Sequence, residues 1–168
     1  MQRRRLLQLG IASTVVLALA GAGVSMSRPG LEAGRLTPAG QEVLRAIARA
    51  VLDGSLPHGG APLEAALASQ LQRVEALVAA MPGPTRQELS QLLGVLASAP
   101  GRRLLAGLEA DWRDASVAQL QASLQDMRRS RLAVRQQAYH ALRELSSAAY
   151  YADPASWQAI GYPGPTDL

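Results

Sequence analysis

Two histidines, His58 and His140, are the only side chains here that ordinarily titrate near neutral pH, and cysteine is absent. Glu144 follows His140 at four residues, a spacing that places an imidazole and a carboxylate on one helix face and could offer two ligands to a metal. Two ligands do not make a zinc or haem site, so His140 reads as a partly exposed helix residue and His58 as a loop turn residue. Asp111, Asp126 and Glu144 have no second catalytic partner in evidence, and no serine lies in a nucleophile-elbow context. The lack of cysteine removes disulfides, thiolate metal sites, iron–sulfur clusters, covalent c-type haem attachment and sulfur nucleophiles. No glycine-rich phosphate loop follows a strand. The expectation is a chain without catalytic, cofactor-binding or metal-binding residues of its own.

What remains is the chemistry of contact. Arg128, Arg129, Arg131 and Arg135 form a local basic patch, with Arg131 and Arg135 four residues apart and so expected on one helix face. Guanidinium groups grip carboxylates bidentately, which gives the patch two readings: pairing with acidic groups of a partner, or a solvated face with Asp126 or Glu144 as internal partners. The second concentration is aromatic. Four of the six aromatic residues, Tyr150, Tyr151, Trp157 and Tyr162, lie in the last nineteen positions. Such side chains present large, stiff, amphipathic surfaces that lose little entropy when immobilised. Gly161-Tyr162-Pro163-Gly164-Pro165 cannot be helical, because two prolines lack amide hydrogens and the glycines admit positive φ. Ordering this arm calls for packing of Tyr162 and its neighbours against something, either the chain's own helices or a partner.

The elements that must position these groups are helices. Hydrophobic residues make up 48% of the chain and are dominated by Ala and Leu, with no Phe, a composition suited to close helix packing. The fold class expected is all-α, a small bundle of about five helices with sheet content near zero. Thr37 as N-cap and Pro38 at the first helical position open one helix, with Val43, Leu44, Ile47, Val51 and Leu52 as its stripe and Gly54 to end it. Leu63, Leu67, Leu71, Val74, Leu77 and Val78 mark a second from Pro62 to Met81, halted by Pro82-Gly83-Pro84. Thr85 and Glu88 fit a capping box for a third helix, closed by Pro100-Gly101. Arg102 to Trp112 reads as a short helix with Leu104, Leu105 and Leu108 inward. Asp114 or Ser116 can cap a helix to about Arg129, and a longer one runs from about Ser130 to Tyr150 until Asp153-Pro154 breaks it. Leu132, Tyr139, Leu142, Leu145 and Ala149 mark one side of that last helix.

Residues 1–26 read as an export signal or a membrane anchor: Arg3, Arg4 and Arg5, then an apolar run from Leu6 to Val24. Arginines before Leu6-Leu7 resemble a twin-arginine signal, with Arg3-Arg4 or Arg4-Arg5 as the pair, although Gln2 and Gln8 depart from that pattern. Ala18-Leu19-Ala20 and Ala20-Gly21-Ala22 both offer small residues for cleavage. Residues 27–36 read as a linker and 37–168 as the domain, with 150–168 as its tail. Taking the three leader arginines from a formal net charge of +4 leaves +1, which removes the electrostatic basis for binding nucleic acid. A periplasmic location is expected.

The run Tyr150-Tyr151-Ala152-Asp153-Pro154, then Trp157, then Ile160-Gly161-Tyr162-Pro163-Gly164-Pro165 resembles the C-terminal signature of the gluconate 2-dehydrogenase subunit 3 family. A helix ending near Leu52 and later helices around Leu89–Leu96 and Ser130–Ser147 are similar to that family's pattern in a looser way. Family members are small, cofactor-free accessory subunits of membrane-associated bacterial dehydrogenases, whose large subunit is a flavin-dependent glucose-methanol-choline oxidoreductase. The resemblance implies a non-catalytic small subunit. It would bind the large flavoprotein and assist its folding and export, with FAD and sugar or alcohol oxidation belonging to that partner. Electrons would pass onward to a cytochrome c subunit or a quinone. The residues expected to bind the partner are Arg131, Arg135, Tyr150, Tyr151, Trp157, Tyr162 and Pro163. The other reading is a stand-alone periplasmic or membrane-anchored helical protein whose aromatic tail caps its own core.

Overall fold

The computed structural model describes residues 28–159 and 161–164, so the export signal or anchor read at 1–26 lies outside the described residues. The described chain is a small all-α bundle preceded by one short hairpin, β1 (Leu31–Glu32) and β2 (Arg35–Leu36). The helices are α1 (Pro38–Val51), α2 (Gly60–Ala79), α3 (Gly83–Ala97), a single turn α4 (Ala99–Gly101), α5 (Val117–Arg129), α6 (Ala133–Tyr151) and the short α7 (Ala155–Ala159). A π-helical turn, Arg102–Ala106, runs on directly from α4. Among the described residues no helix is long and apolar enough to cross a membrane.

Helix α1 is the centre of the bundle, and its composition explains why. Thr37 accepts a hydrogen bond from the Gly40 amide at 3.2 Å, and Pro38 occupies the first turn, as the sequence predicts. Val43, Leu44 and Ile47 are buried along with Ala46, Ala48, Ala50 and Gly40, so small residues let α2, α3, α5 and α6 all approach one helix. Each large aliphatic side chain buried this way contributes about 1.5–3 kcal/mol.

The segment read as a linker is packed structure. Its hairpin pairs Leu31 with Leu36 and Glu32 with Arg35, and turns through Ala33 (φ 48°) and Gly34 (φ 80°), the two positive φ values that a tight hairpin turn requires. Leu31 and Leu36 are buried in the main core. The Gly30 and Leu31 amides donate to Ser90 O and Oγ, both at 3.0 Å, and the Leu36 amide donates to Glu75 Oε1 at 3.2 Å. Close approach is made possible by three glycines: a Cβ on Gly30 would strike Leu93, one on Gly40 would strike the Gly30 carbonyl, and one on Gly94 the Arg28 carbonyl. Two buried leucines and four residues of hairpin are too weak a periodic signal to read from the sequence.

Helix boundaries differ from the expectation at several places, α2 among them, which runs from Gly60 to Ala79 rather than from Pro62 to Met81. Helix α3 starts at Gly83 with Pro84 in its first turn, where a missing amide costs nothing, so Thr85 is already helical and forms no capping box with Glu88. Its end comes at Ala97 rather than Pro100-Gly101. Ser98 turns extended there; its hydroxyl donates to Val95 O at 2.7 Å and accepts from the Gly101 amide at 3.1 Å, ending one helix and opening the next turn. Helix α6 starts at Ala133, after Leu132, and is capped by no side chain. Ser116, the second of the two proposed caps, does form a full box with Gln119 at the head of α5.

Two leucines expected inward point into solvent. Leu104, in the π-helical turn, is 80% exposed, and Leu132, just before α6, is 60% exposed. The wider π turn buries Leu105 while it turns Leu104 outward, and Gly107 (φ 69°) then closes it. Trp112 lies in the core in a way the periodicity did not reveal: it is buried, and its indole donates to the Leu96 carbonyl at 2.7 Å.

Candidate partner-binding surface

The aromatic tail is built on the C-terminal end of α6 and secured by a polar network that begins on α2. Gln70 occupies a core position between Leu67 and Val74, fully buried, and donates to the Ser146 carbonyl of α6 at 2.8 Å. Arg73, one turn along from Gln70, donates Nε to the Ala149 carbonyl at 2.9 Å, Nη1 to Ser69 Oγ at 2.8 Å and to Asp153 Oδ2 at 3.1 Å, and Nη2 to Gln70 Oε1 at 3.2 Å. A cation at the last turn of α6 meets the unsatisfied carbonyls and the negative end of the helix dipole there. Asp153 then turns the chain: its Oδ1 accepts from the Ala155 amide at 3.0 Å, and its carbonyl accepts from the Ser156 hydroxyl at 2.7 Å. Sequence reading missed this latch. Its one visible sign was a glutamine inside the apolar stripe of α2.

Beyond the latch, Trp157 organises the tail. Its indole donates to the Tyr151 carbonyl at 2.8 Å, its carbonyl accepts from the Tyr162 amide at 3.0 Å, and its ring meets that of Tyr162 edge-on at 5.5 Å. Gly161 (φ 69°) and Gly164 (φ 100°) give the irregular backbone expected of this arm, and Gly164 lies against the indole. Tyr151 and Tyr162 are left 46% and 47% exposed, with Pro163 exposed beside them. Tyr150 differs: it is half-buried against a second small core group of Ala48, Leu52 and Leu67. It acts in packing, although its ring still meets that of Tyr151 edge-on at 5.3 Å.

The basic patch does not join this surface. Helix α6 has 19 residues and so spans about 28 Å, with Arg135 in its first turn and the tail beyond its last. Arg131 lies outside the helix, exposed, so it does not share a helical face with Arg135. Arg135 is committed internally: Nε donates to the Leu105 carbonyl at 2.8 Å and Nη2 to Asp126 Oδ2 at 2.7 Å, with only 15% of the side chain exposed. Of the seven residues expected to contact a partner, Tyr151, Trp157, Tyr162 and Pro163 are thus brought together. Tyr150 and Arg135 serve packing, and Arg131 stands at the opposite end of α6.

Among the described residues, the histidines and carboxylates form no metal-binding group. His58 and His140 are exposed, and no group of three His, Asp or Glu side chains could hold a metal. His140 meets the Tyr139 ring edge-on at 5.2 Å. An open cleft of about 310 Å³ between α1 and α2 is lined by Glu42, Arg45, Arg49, Glu64, Trp112 and Arg113. Its carboxylates are occupied: Arg45 pairs with Glu64, and Arg113 with Glu42 at 2.8 Å, a hydrogen bond that raises the guanidinium pKa further above its ordinary value.

No family model matches this chain, and neither a curated protein nor a solved structure matches it. What the fold defines is the class, a small all-α helical bundle.

Arg73→Ala is expected to free the tail. Loss of the bonds to Ala149 and Gln70 leaves buried acceptors unpaired and that to Asp153 frees a part-exposed carboxylate, at a cost of about 2 kcal/mol once partial solvent screening is allowed for. Hydrogen exchange at the Trp157 and Tyr162 amides should accelerate more than exchange in α1. Unchanged protection of those two amides would show that the tail holds itself.

Proposed function

We propose that this chain is the non-catalytic small subunit of a periplasmic flavin-dependent sugar or alcohol dehydrogenase complex. It binds the large flavoprotein through the aromatic tail and assists that partner's folding and export. The observation that carries this reading is the tail itself: the residues on which the family resemblance rests are those that leave Tyr151, Tyr162 and Pro163 exposed on a surface fixed by Trp157. A pre-ordered aromatic surface loses little entropy on docking, which is how a small interface gains affinity. The leader adds a second argument. A helical domain without a cofactor gains little from an export route for folded cargo unless it travels with a partner that folds first around its flavin.

The stand-alone reading keeps one observation in its favour, since Arg73 and Asp153 tie the tail to the chain's own helices. The two readings separate experimentally. Tyr151→Ala combined with Tyr162→Ala removes two half-exposed rings and their edge-on contacts, so stability should fall by about 1–3 kcal/mol with the bundle still folded. Co-purification of an FAD-containing large subunit from native extract should nevertheless be lost. Isolation of the wild-type chain as a solitary species, together with a large stability loss on truncation after Ala152, would favour the tail as a cap and overturn the subunit reading.

A further inference from the structure

The end of the molecule opposite the aromatic tail carries an apolar and cationic surface that the proposed subunit role does not use. Among the described residues Leu104 and Leu132 are the two most exposed large hydrophobic side chains, and the chain brings their segments together. Arg135 ties the Leu105 carbonyl to the first turn of α6, and the Ser123 hydroxyl ties the Ala106 carbonyl to α5 at 2.7 Å. Leu104 precedes Leu105, and Leu132 accepts from the Arg135 amide at 3.0 Å, so both leucines flank one pinned junction. Arg128, Arg129 and Arg131 are exposed at the same junction, between the end of α5 and the start of α6.

Among the described residues these three arginines have no acidic partner. Asp126 is paired with Arg135 and Glu109 with Arg103, while Arg128 donates only to Gln125 Oε1 at 2.9 Å. Among the described residues no carboxylate lies within ion-pair distance of Arg128, Arg129 or Arg131. Two open hollows of the described surface lie away from this junction, one beside the hairpin and one between α1 and α2. The junction therefore presents protruding leucines beside exposed, unpaired cations.

We propose that this junction docks on an anionic lipid surface, with Leu104 and Leu132 entering the interface and Arg128, Arg129 and Arg131 binding phosphate headgroups. A fluid bilayer accepts protruding aliphatic side chains without a preformed counterpart, and guanidinium groups bind phosphate oxygens bidentately. The inference is independent of the aromatic tail and of any dehydrogenase partner.

The test uses the full chain, whose lack of cysteine makes a single introduced thiol a unique labelling site. An environment-sensitive fluorophore on Ala133→Cys, exposed beside Leu132, should shift to the blue on vesicles of phosphatidylglycerol and stay aqueous on vesicles of phosphatidylcholine. A fluorophore on Ser55→Cys, in the exposed loop after α1, should stay aqueous on both. Each of Arg128→Gln, Arg129→Gln and Arg131→Gln should raise the lipid concentration at half-shift by about fivefold, and high salt should do the same. Leu104→Ala with Leu132→Ala should abolish the shift. An aqueous signal from Ala133→Cys on phosphatidylglycerol, or equal shifts at both labelled positions, would overturn the proposal. So would an equal shift produced by poly-glutamate in place of vesicles, which would assign the patch to an acidic protein.

Discussion

Trp112→Ala is expected to destabilise the bundle by about 3–5 kcal/mol, the range for truncating a fully buried large aromatic side chain. The indole is 2% exposed within the main core, so deletion leaves a cavity there. It also leaves the Leu96 carbonyl without its 2.7 Å donor at the end of α3. Trp112→Phe separates the two effects: most of the volume is kept, and the orphaned carbonyl should cost about 1–3 kcal/mol. Denaturant unfolding with linear extrapolation measures both. A loss under about 1 kcal/mol for the alanine variant would contradict the burial of this side chain.

Gly94→Val should detach the hairpin from the helices at a cost of about 2–3 kcal/mol. Any Cβ at this position meets the Arg28 carbonyl oxygen at 2.5 Å, and a backbone oxygen cannot swing aside as a flexible side chain can. The segment from Arg28 must move away, which breaks the bonds from Gly30 and Leu31 to Ser90 and exposes Leu31 and Leu36. The direct readout is hydrogen exchange at the Gly30, Leu31 and Leu36 amides, which should lose protection while α5 and α6 keep theirs. Gly83→Val is the control, because a Cβ there meets nothing within 4 Å. Equal effects at both glycines would sink the close-packing argument.

Both expectations bear on the candidate surface through the same framework. The tail is held by α2 and α6, and those helices keep their relation to each other because both pack on α1. Loosening the α3 side should therefore leave the aromatic surface in place, whereas Arg73→Ala acts on it directly.

Periodicity was enough to locate the five long helices, because each is longer than three turns and carries one apolar stripe. Thr37 before Pro38 fixed one starting point, and the choice of Asp114 or Ser116 placed another to within two residues, since a cap needs only its own helix's first turn. The aromatic arm was legible as irregular, because two prolines and two glycines forbid a helix whatever surrounds them. Local chemistry decides these features, so the local sequence reports them.

The rest was decided by contacts between residues far apart in the chain. Whether Leu104 faces in or out depends on a π-helical turn set by its fit against α5 and α6, and the sequence of the turn does not encode that register. Arg135 read as a cation for a partner's acidic groups or as part of a solvated face with Asp126 or Glu144 as internal partners; contact with Asp126 and the Leu105 carbonyl decides it. Gln70 and Arg73 became a latch only when α2 met the end of α6, some 76 residues on. The amino-acid sequence by itself thus determined the long helices and the Thr37 cap, through interactions spanning a turn or two. Tertiary structure alone decided which polar groups are spent holding the bundle and which are left facing out, because pairing across the fold sets the surroundings of each charge.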